Sequence, residues 1–422
     1  MKPQVFALVD ANKFYANCEK VGRPDLRDRP VVVLSNNDGC VVAACEKARA
    51  LGIPMFGPFF EVEALCKRHN VAVFSSNYSL YGDLSGRLMT VLAEHAPNME
   101  VYSIDEAFLD FTGVQDIEDR AHRLRQEVLR RVGIPTCVGI GSSKTLAKLA
   151  NHTAKKRPEW SGVFDWSWLS ESEQDRLLSE IEVGEVWGIG RRLTEKLGAM
   201  GITNALQLKH ADPRRIKRRF NVVTERTVQE LNGVSCLALE DVTPAKQQII
   251  ASRSFAHKVK DLSTLASSIA HHTARAAEKL REQQSTARLI GVSISTSTFS
   301  EHDQYHPYTV VPLVHPTDDT IELTHSALAG LRCIYKHGYL YHRAGVILME
   351  IGPREVQQTD MFAPLPSPRR HRLMAALDAI NQEYGRSTIH LGAEGLSNRW
   401  EMRQDLKSPC WTTRWDQLIE VR

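Results

Sequence analysis

The 422-residue sequence contains no apolar run long enough to cross a membrane, and its first residues do not resemble a secretory signal. Its eight cysteines form no Cys-x-x-Cys pair, which argues against zinc and suits a reducing compartment. The formal net charge is only +3, so total charge neither requires nor excludes a nucleic-acid partner. These absences predict a cytoplasmic protein without membrane association. The length of the chain is enough for several domains.

The stretch from 101 to 111 concentrates the acidic chemistry of the chain. Asp105 and Glu106 lie between two runs of β-branched and aromatic residues, a pattern that predicts strand, tight turn and strand. Two unpaired carboxylates at one turn repel each other, and a hard divalent cation with oxygen ligands would relieve that repulsion. An isolated Asp-Glu pair is more often a solvated hairpin tip, so the rest of the chain must decide between these interpretations.

Another acid ends the first predicted strand. The apolar run 5–9 favours a buried strand, and Asp10 follows it directly, where a charge is costly unless it lies in a cleft or meets a partner. Phe14 and Tyr15 begin the next predicted helix, so Tyr15 is expected near that acid. Asp10 could alternatively be the N-cap of this helix.

The region up to residue 140 predicts helices packed on an antiparallel sheet. A small basic-edged subdomain precedes the acidic hairpin, with strands at 30–34 and 41–44 joined by the turn sequence Asn-Asn-Asp-Gly. The remaining elements expected here are helices 46–51, 61–69, 78–94 and 117–132 and strands 71–74 and 137–140.

A lysine-rich helix follows a glycine-containing turn at residues 141–143. Lys144, Lys148, Lys155 and Lys156 recur along it. A strand-to-helix turn of this kind favours anions, although the spacing is not that of a P-loop. The lysines could also be an ordinary solvated helix face.

A second unit begins near Trp166 and carries a hidden basic patch. Residues 185–235 contain ten Lys and Arg against five Asp and Glu. Two short helices are expected around Gly188-Ile189-Gly190, next to Arg191 and Arg192, where backbone N–H groups can grip a phosphate without reading sequence. The arginines could instead be simply solvated.

A third unit and a tail complete the chain. Residues 248–352 predict the order β-α-β-β-α-β, with one sheet face apolar and the other rich in serine, which either follows a sugar-phosphate backbone or is simply solvated. Prolines 364, 366 and 368 predict an extended segment after it, in which Met361 and Phe362 are either packed on the domain or offered to a partner. The final sixty residues are expected to be ordered, with Trp400, Trp411 and Trp415 buried.

In this order and spacing the motifs resemble the Y-family DNA polymerases, the translesion enzymes, and within them the UmuC-type catalytic subunits of DNA polymerase V. The resemblance covers essentially the whole chain. Five motifs carry it: Leu8-Val9-Asp10 with Phe14-Tyr15, Ser35 to Cys40, Tyr102 to Phe108, Ser143 to Lys148, and Trp187 to Gly190.

The resemblance implies an α+β fold with the right-hand polymerase architecture. The implied domains are an antiparallel-sheet palm (1–13 and 76–168), small fingers (14–75), a helical thumb with a helix-hairpin-helix (169–236), a linker (237–247), a split-βαβ little finger (248–352) and a C-terminal tail (353–422).

The resemblance also implies roles for individual residues. Asp10, Asp105 and Glu106 match the catalytic, metal-binding carboxylates, with the carbonyl of Ala11 as a further ligand. Tyr15 matches the steric gate that excludes a ribose 2′-OH. The other matches are, for the incoming nucleotide, Phe14, Tyr15, Arg49 and Lys155; for the DNA backbone, Gly188, Ile189, Gly190 and Arg191; and for a sliding clamp, Gln358, Met361 and Phe362.

The implied activity is low-fidelity, template-directed DNA synthesis with two Mg²⁺ ions, for which Mn²⁺ can substitute, in SOS-type damage tolerance and mutagenesis. The implied partners are primer-template DNA, dNTPs, the sliding clamp, a processed UmuD-type dimer and RecA. Two departures from the family pattern are Asn12, where some relatives carry a second aspartate, and Glu46, near a triphosphate-binding tyrosine of many relatives. A metal-dependent nucleotidyl cyclase and a non-catalytic DNA-binding scaffold remain alternatives.

Overall fold

The computed structural model describes residues 3–240, 245–355, 367–395 and 400–419. These form two compact units: unit 1 contains residues 1–35, 39–243 and 406–422, and unit 2 contains residues 36–38 and 244–405. The predicted linker includes the main division between them. The finer domain boundaries given above stay predictions.

Unit 1 begins with strands and helices that alternate. In chain order they are β1 (Phe6–Ala11), α1 (Phe14–Lys20), β2 (Val31–Leu34), β3 (Val41–Ala44), α2 (Glu46–Ala50), α3 (Phe59–Arg68), β4 (Ala72–Ser75), α4 (Tyr78–Ala93), β5 (Met99–Val101), β6 (Glu106–Asp110), α5 (Ile117–Val132), β7 (Thr136–Gly141), α6 (Lys144–Lys156) and β8 (Val163–Asp165). Each strand or helix expected before residue 144 lies within a few residues of its predicted position.

The central sheet of unit 1 has the order β5-β6-β1-β7-β8. Every residue of β1 is buried, as its apolar sequence predicts, and β1 pairs antiparallel with β6 on one side and β7 on the other. Helix α6 lies so close to β7 that a Cβ on Gly139 would stand 2.0 Å from the backbone nitrogen of Asn151. A glycine is therefore required there by close approach.

A smaller sheet in unit 1 has the order β3-β2-β4. Strands β2 and β3 are antiparallel, and the predicted turn sequence lies between them. Strand β4 pairs parallel with β2 and has its other edge open for a further strand.

The rest of unit 1 up to residue 240 is mainly helical: α7 (Glu171–Glu180), α8 (Arg191–Gly198), α9 (Ala205–Lys209), α10 (Pro213–Arg219) and α11 (Val222–Leu231). Ser170 and Glu173 form a capping box at the start of α7, and Asn204 and Gln207 form another at α9. These local signals explain why such short helices begin where they do.

Unit 2 contains β9 (Ile249–Val259), α12 (Leu262–Glu282), β10 (Ser285–Thr296), β11 (Tyr308–Thr317), α13 (Thr320–Ile334), β12 (Tyr341–Met349), β13 (Gly352–Pro353) and α14 (Pro368–Tyr384). The main sheet has the order β11-β10-β12-β9, so the predicted β-α-β-β-α-β arrangement is confirmed. Ile290, Val292 and Ile294 are buried, and Ser293 and Ser295 between them are half-buried, as the alternation predicts.

The described part of the tail includes α14, and its residues 406–419 belong to unit 1. Trp400 is buried, but Trp415 is 89% exposed, so the expectation that every tail tryptophan is buried is wrong. All eight cysteines are free. Within the described ranges, no helix is both long and apolar enough to span a bilayer.

Candidate metal and nucleotide site

The backbone brings the three predicted carboxylates to one place in unit 1. The register of β1 and β6 sets Asp10 opposite Glu106. The N–H of Ala11 donates to the carbonyl of Asp105 at 2.8 Å, which holds the turn against the end of β1. Asp10 does not cap α1, because Lys13 occupies the N-cap position and makes no side-chain cap bond.

Asp10 and Glu106 share a hydrogen bond between their carboxyl groups. Asp10 is only 7% exposed, and this burial raises its pKa from 3.8 to about 7. Burial also disfavours the charge of Glu106, but the hydrogen bond from Asp10 and the charge of Lys148 outweigh it and lower the pKa of Glu106. The two carboxyl groups therefore titrate as a pair, in which burial favours the neutral form of Asp10.

Two lysines of α6 are paired with these acids, whereas Lys156 is exposed and pairs with Glu185. Lys155 Nζ lies 2.5 Å from Asp10 Oδ1, and Lys148 Nζ lies 3.0 Å from Glu106 Oε2. Lys144 is buried and forms an ion pair with Glu100. Helix α6 therefore supplies the positive charges that face Asp10 and Glu106.

The donor set of this site fits a hard divalent cation. The buried Asp10 and the half-buried Glu106 lie beside lysine ammonium groups and form a cluster of carboxylate oxygens that attracts cations. Asp105 accepts from Ser103 Oγ at 2.6 Å, and in the described part of the chain no three acidic, His or Cys side chains yet converge on one point.

Tyr15 lies in an aromatic cluster beside this site. Its ring stacks on Tyr81 with centroids 4.6 Å apart and meets the edge of Tyr78 at 6.0 Å. The side chain of Phe14 is buried in the core of unit 1, so of the predicted nucleotide contacts it can offer only its backbone.

A cluster of cations surrounds the end of β1. Burial lowers the pKa of Lys13, and the nearby charges of Arg49 and Lys155 lower it further. Arg49 and Lys155 were predicted from resemblance, whereas Lys13 was missed. The sequence did contain a signal for Lys13, because this lysine lies between the Asp10 motif and the start of α1. Glu46, the noted departure from the family pattern, forms an ion pair with Lys13.

A second group missed by sequence reasoning supports Glu106. Trp187 Nε1 donates to Tyr102 Oη at 3.1 Å, and Lys148 Nζ lies 4.5 Å from the centre of the Tyr102 ring. The ring of Trp187 lies 5.5 Å from the same ammonium. No spacing rule links residues this far apart in the sequence, so the signal appears only in the fold.

The predicted DNA-binding hairpin has the expected local form. Gly188 has a φ of +85°, Ile189 is buried, and Gly190 is the N-cap of α8 without a side-chain cap bond. The side chain of Arg191 is 92% exposed. The arginines of α10 also face solvent: Arg214, Arg215, Arg218 and Arg219.

The turn before α6 does not offer an open anion site. Glu230 Oε2 accepts from the N–H of Thr145 at 2.9 Å, and Glu230 is fully buried. The anion favoured at this helix start is therefore the protein's own carboxylate. The predicted clamp residues Gln358, Met361 and Phe362 lie outside the described residues.

Three family models match the sequence. The impB/mucB/samB family model matches residues 9–152, its C-terminal domain model matches 246–361, and a domain of unknown function matches 371–421.

Curated relatives cover nearly the full chain. Protein UmuC of Salmonella typhimurium is 44% identical, over 99% of this chain and all of that protein, and Protein SamB of the same species is 44% identical over 98% and 99%. DNA polymerase IV 2 of Bacillus subtilis is 26% identical over 92% of this chain and 94% of its own length.

Solved structures share the fold. A Y-family DNA polymerase chimera of Dbh and Dpo4 aligns with a TM-score of 0.65 and 22% identity, over 83% of this chain and 99% of that one. The likeness agrees with the predicted α+β class and right-hand architecture.

Proposed function

Because the chain belongs to the impB/mucB/samB family, the UmuC-type members of the Y family of DNA polymerases, we propose that it extends primers across damaged templates by two-metal phosphoryl transfer. Family membership makes it a DNA-directed DNA polymerase that acts in damage tolerance. The metal count, the identity of the ion as Mg²⁺ and the SOS setting are the finer parts of the proposal.

One observation carries the metal part of the proposal. Asp10 faces Glu106 across paired strands, and Asp105 is held one residue away at the turn. The lysine ammonium groups beside Glu106 and Asp10 support a site that attracts positive charge. Oxygen donors of this kind are the ligands Mg²⁺ prefers.

The mechanism assigns each group a task. Asp10, Asp105, Glu106 and the Ala11 carbonyl would hold the ions, which when bound lower the pKa of the primer hydroxyl and neutralise the triphosphate. If Asp10 held a metal ion instead of pairing with Lys155, the ammonium of Lys155 would be free to bind a phosphate. Catalysis by these residues is then positioning and charge neutralisation, which is what phosphoryl transfer mainly requires.

The other cations and the tyrosine define the nucleotide pocket. Arg49 and Lys155 both lie near enough to Lys13 to lower its pKa, so the three cations together would bind a triphosphate that carries several negative charges. Tyr15, stacked on Tyr81, would exclude a sugar that carries a 2′-OH. The exposed Arg191 beside Gly188–Gly190 would grip the DNA backbone.

Asp105→Asn tests the assignment. The change keeps the shape of the side chain but removes the charge, so we expect metal-dependent incorporation to fall at least about 10³-fold in a primer-extension assay. DNA binding by fluorescence anisotropy and the melting temperature should stay close to wild type. Asp110→Asn, at the far end of β6, is the matched control and should retain activity. Full activity in Asp105→Asn would remove the assignment.

The partners are proposed on resemblance. A sliding clamp would bind through Gln358, Met361 and Phe362, and a processed UmuD-type dimer and RecA would act with the enzyme in the cytoplasm. The cyclase and scaffold alternatives lose support, because similarity to Protein UmuC spans 99% of the chain, including the thumb region and the third unit.

A further inference from the structure

Residues 406–411, here named the C-terminal strap, lie along the open edge of β4 in unit 1. The N–H of Ser75 donates to the carbonyl of Leu406 at 3.0 Å, and the N–H of Leu406 donates to Ser75 Oγ at 3.0 Å. Ser75 and Lys407 form a parallel bridge. The strap therefore pairs with the outer edge of the small sheet through one isolated β-bridge.

The strap is also tied to the start of α4. Asn77 is fully buried, and its Oδ1 accepts from the N–H of Leu80 at 3.3 Å as the N-cap. Its Nδ2 donates to the carbonyl and the hydroxyl of Ser408 at 2.9 and 3.0 Å. One amide thus fixes both the helix start that carries Tyr78 and Tyr81 and the path of the strap.

Ser408 continues this network to α1. Its hydroxyl donates to Glu19 Oε1 at 3.0 Å, and the same oxygen accepts from Tyr81 Oη at 2.6 Å. Glu19 is 3% exposed, and burial raises its pKa, which these two donors counteract. A buried carboxylate depends strongly on each donor, so removing one should move the others.

The network ends at the tyrosine that is expected to meet the sugar. The Tyr81 ring stacks on Tyr15 with an angle of 17° between planes, and Tyr15 and Glu19 lie on the same helix, α1. Trp411 packs near Gly22 just beyond that helix. The strap therefore contacts both helices that fix the Tyr15 ring.

We propose that the C-terminal strap positions Tyr15 through Ser408, Glu19 and Tyr81, so that discrimination between deoxyribose and ribose depends on the C-terminal segment. This inference rests on the proposed function, in which Tyr15 faces the sugar. It assigns a positioning role to part of the region matched only as a domain of unknown function.

The stacked geometry explains why a distant hydroxyl should matter. Exclusion of a 2′-OH depends on the position of one ring, and a displacement of about 1 Å is enough to change discrimination strongly. Chemistry at the carboxylates does not depend on that ring in the same way. The strap should therefore affect which sugar is accepted more than how fast the correct nucleotide is joined.

Ser408→Ala in the full chain tests this. We expect the ratio of kcat/KM for dNTP to kcat/KM for rNTP to fall about fivefold, the size of one net hydrogen bond, while kcat for dNTP changes less than about twofold. Ser408→Thr keeps the hydroxyl and should restore the ratio. Asp416→Asn, which alters an exposed ion pair with Arg414 elsewhere in the tail, is the matched control and should leave the ratio unchanged.

Tyr81→Phe approaches the same network from its other end. The ring that stacks on Tyr15 stays, and only the hydroxyl that donates to Glu19 is lost. We expect a similar fall in the ratio, and a double variant with Ser408→Ala should lose less than the product of the two single effects. If Ser408→Ala fails to fold, Tyr81→Phe carries the test alone.

The outcomes separate the two proposals. Metal-dependent incorporation by wild type, with unchanged sugar discrimination in Ser408→Ala and Tyr81→Phe, would overturn only the role of the strap. An inactive wild type, with primer-template DNA and metal present, would overturn the proposed function and this inference with it. An equal loss of kcat for both sugars would show a merely structural contact and would also overturn the inference.

Discussion

Asp10 shows what a single residue contributes at this site. Sequence reasoning placed it after a buried strand and required a partner for its charge; the structure supplies Glu106, Lys155 and a shared proton. The partners could not be predicted from local pattern, because they depend on which strands pair and on the rotation of α6. Resemblance indicated Lys155, and Lys13 could have been noticed from its place after the Asp10 motif, but the pairing of Lys148 with Glu106 needed the fold.

The raised pKa of Asp10 predicts an unusual pH dependence of stability. The folded chain keeps the Asp10 proton up to about pH 7, whereas the unfolded chain releases it near 3.8. Between these values the folded state binds more protons, so the Asp10 contribution to the free energy of unfolding falls as pH rises. We expect melting temperatures in chelator to fall more steeply over this range in wild type than in Asp10→Asn, which cannot titrate.

Asp416→Asn serves as the control for that comparison, because Asp416 is solvent-exposed and far from the site in sequence. Its slope should equal that of wild type. A wild-type slope no steeper than that of Asp10→Asn would contradict the assigned proton.

Tyr15 carries a second prediction at this scale. Tyr15→Ala removes the ring stacked on Tyr81, so ribonucleotide incorporation should rise on the order of 10- to 100-fold relative to deoxynucleotide incorporation. Tyr15→Phe keeps the ring and should discriminate nearly as well as wild type. Single-nucleotide extension with matched dNTP and rNTP measures both, and unchanged selectivity in Tyr15→Ala would argue against the gate.

Among elements, β7 and α6 determine how the site is built. The periodicity of α5 and the apolar run of β7 gave their positions closely, and Ser143 caps α6 as expected by accepting from the N–H of Leu146. The sequence could not show that the lysines of α6 point at acids, because a lysine stripe looks the same on a solvated helix. The glycines of β7 did, however, indicate that the backbone of another element packs closely against this strand.

Gly139→Ala tests that approach. The added Cβ would meet the backbone of α6 at 2.0 Å, so the helix must move, and we expect a loss of about 3 kcal/mol in the free energy of unfolding. Activity should fall as well, because α6 carries Lys148 and Lys155. Gly86→Ala on α4 is the matched control: nothing lies within 4 Å of the added carbon, and stability should rise by up to about 1 kcal/mol. Urea denaturation measures both, and equal effects would contradict the packing argument.

At the scale of the whole molecule, the net charge of +3 conceals the basic region 185–235. Its arginines on α8 and α10 face solvent, as the charge count from 185 to 235 suggested. The β-α-β-β-α-β order was equally readable, because hydrophobic periodicity is a local property. The return of residues 406–419 to unit 1 was not, since no short-range pattern records it.

Double replacement of Arg191 and Arg192 by Ala should reduce the salt dependence of DNA binding. If each arginine neutralises one phosphate, the slope of log affinity against log salt should become less steep by about 2. Fluorescence anisotropy with primer-template DNA over a salt series measures this. Arg130→Ala on α5, an exposed arginine without an assigned role, should leave the slope unchanged; an equal effect of both variants would point to general charge alone.

The contact between the strap and β4 also imposes an order on biosynthesis. A ribosome must deliver all of unit 2 before Leu406 can reach Ser75. Until then a nascent chain has Asp10, Asp105 and Glu106 but not the hydroxyl that meets Glu19. Under the proposed role of the strap, a chain whose translation stops before Ser408 would be less able to reject ribonucleotides, so the sugar would be chosen correctly only after Ser408 has been made.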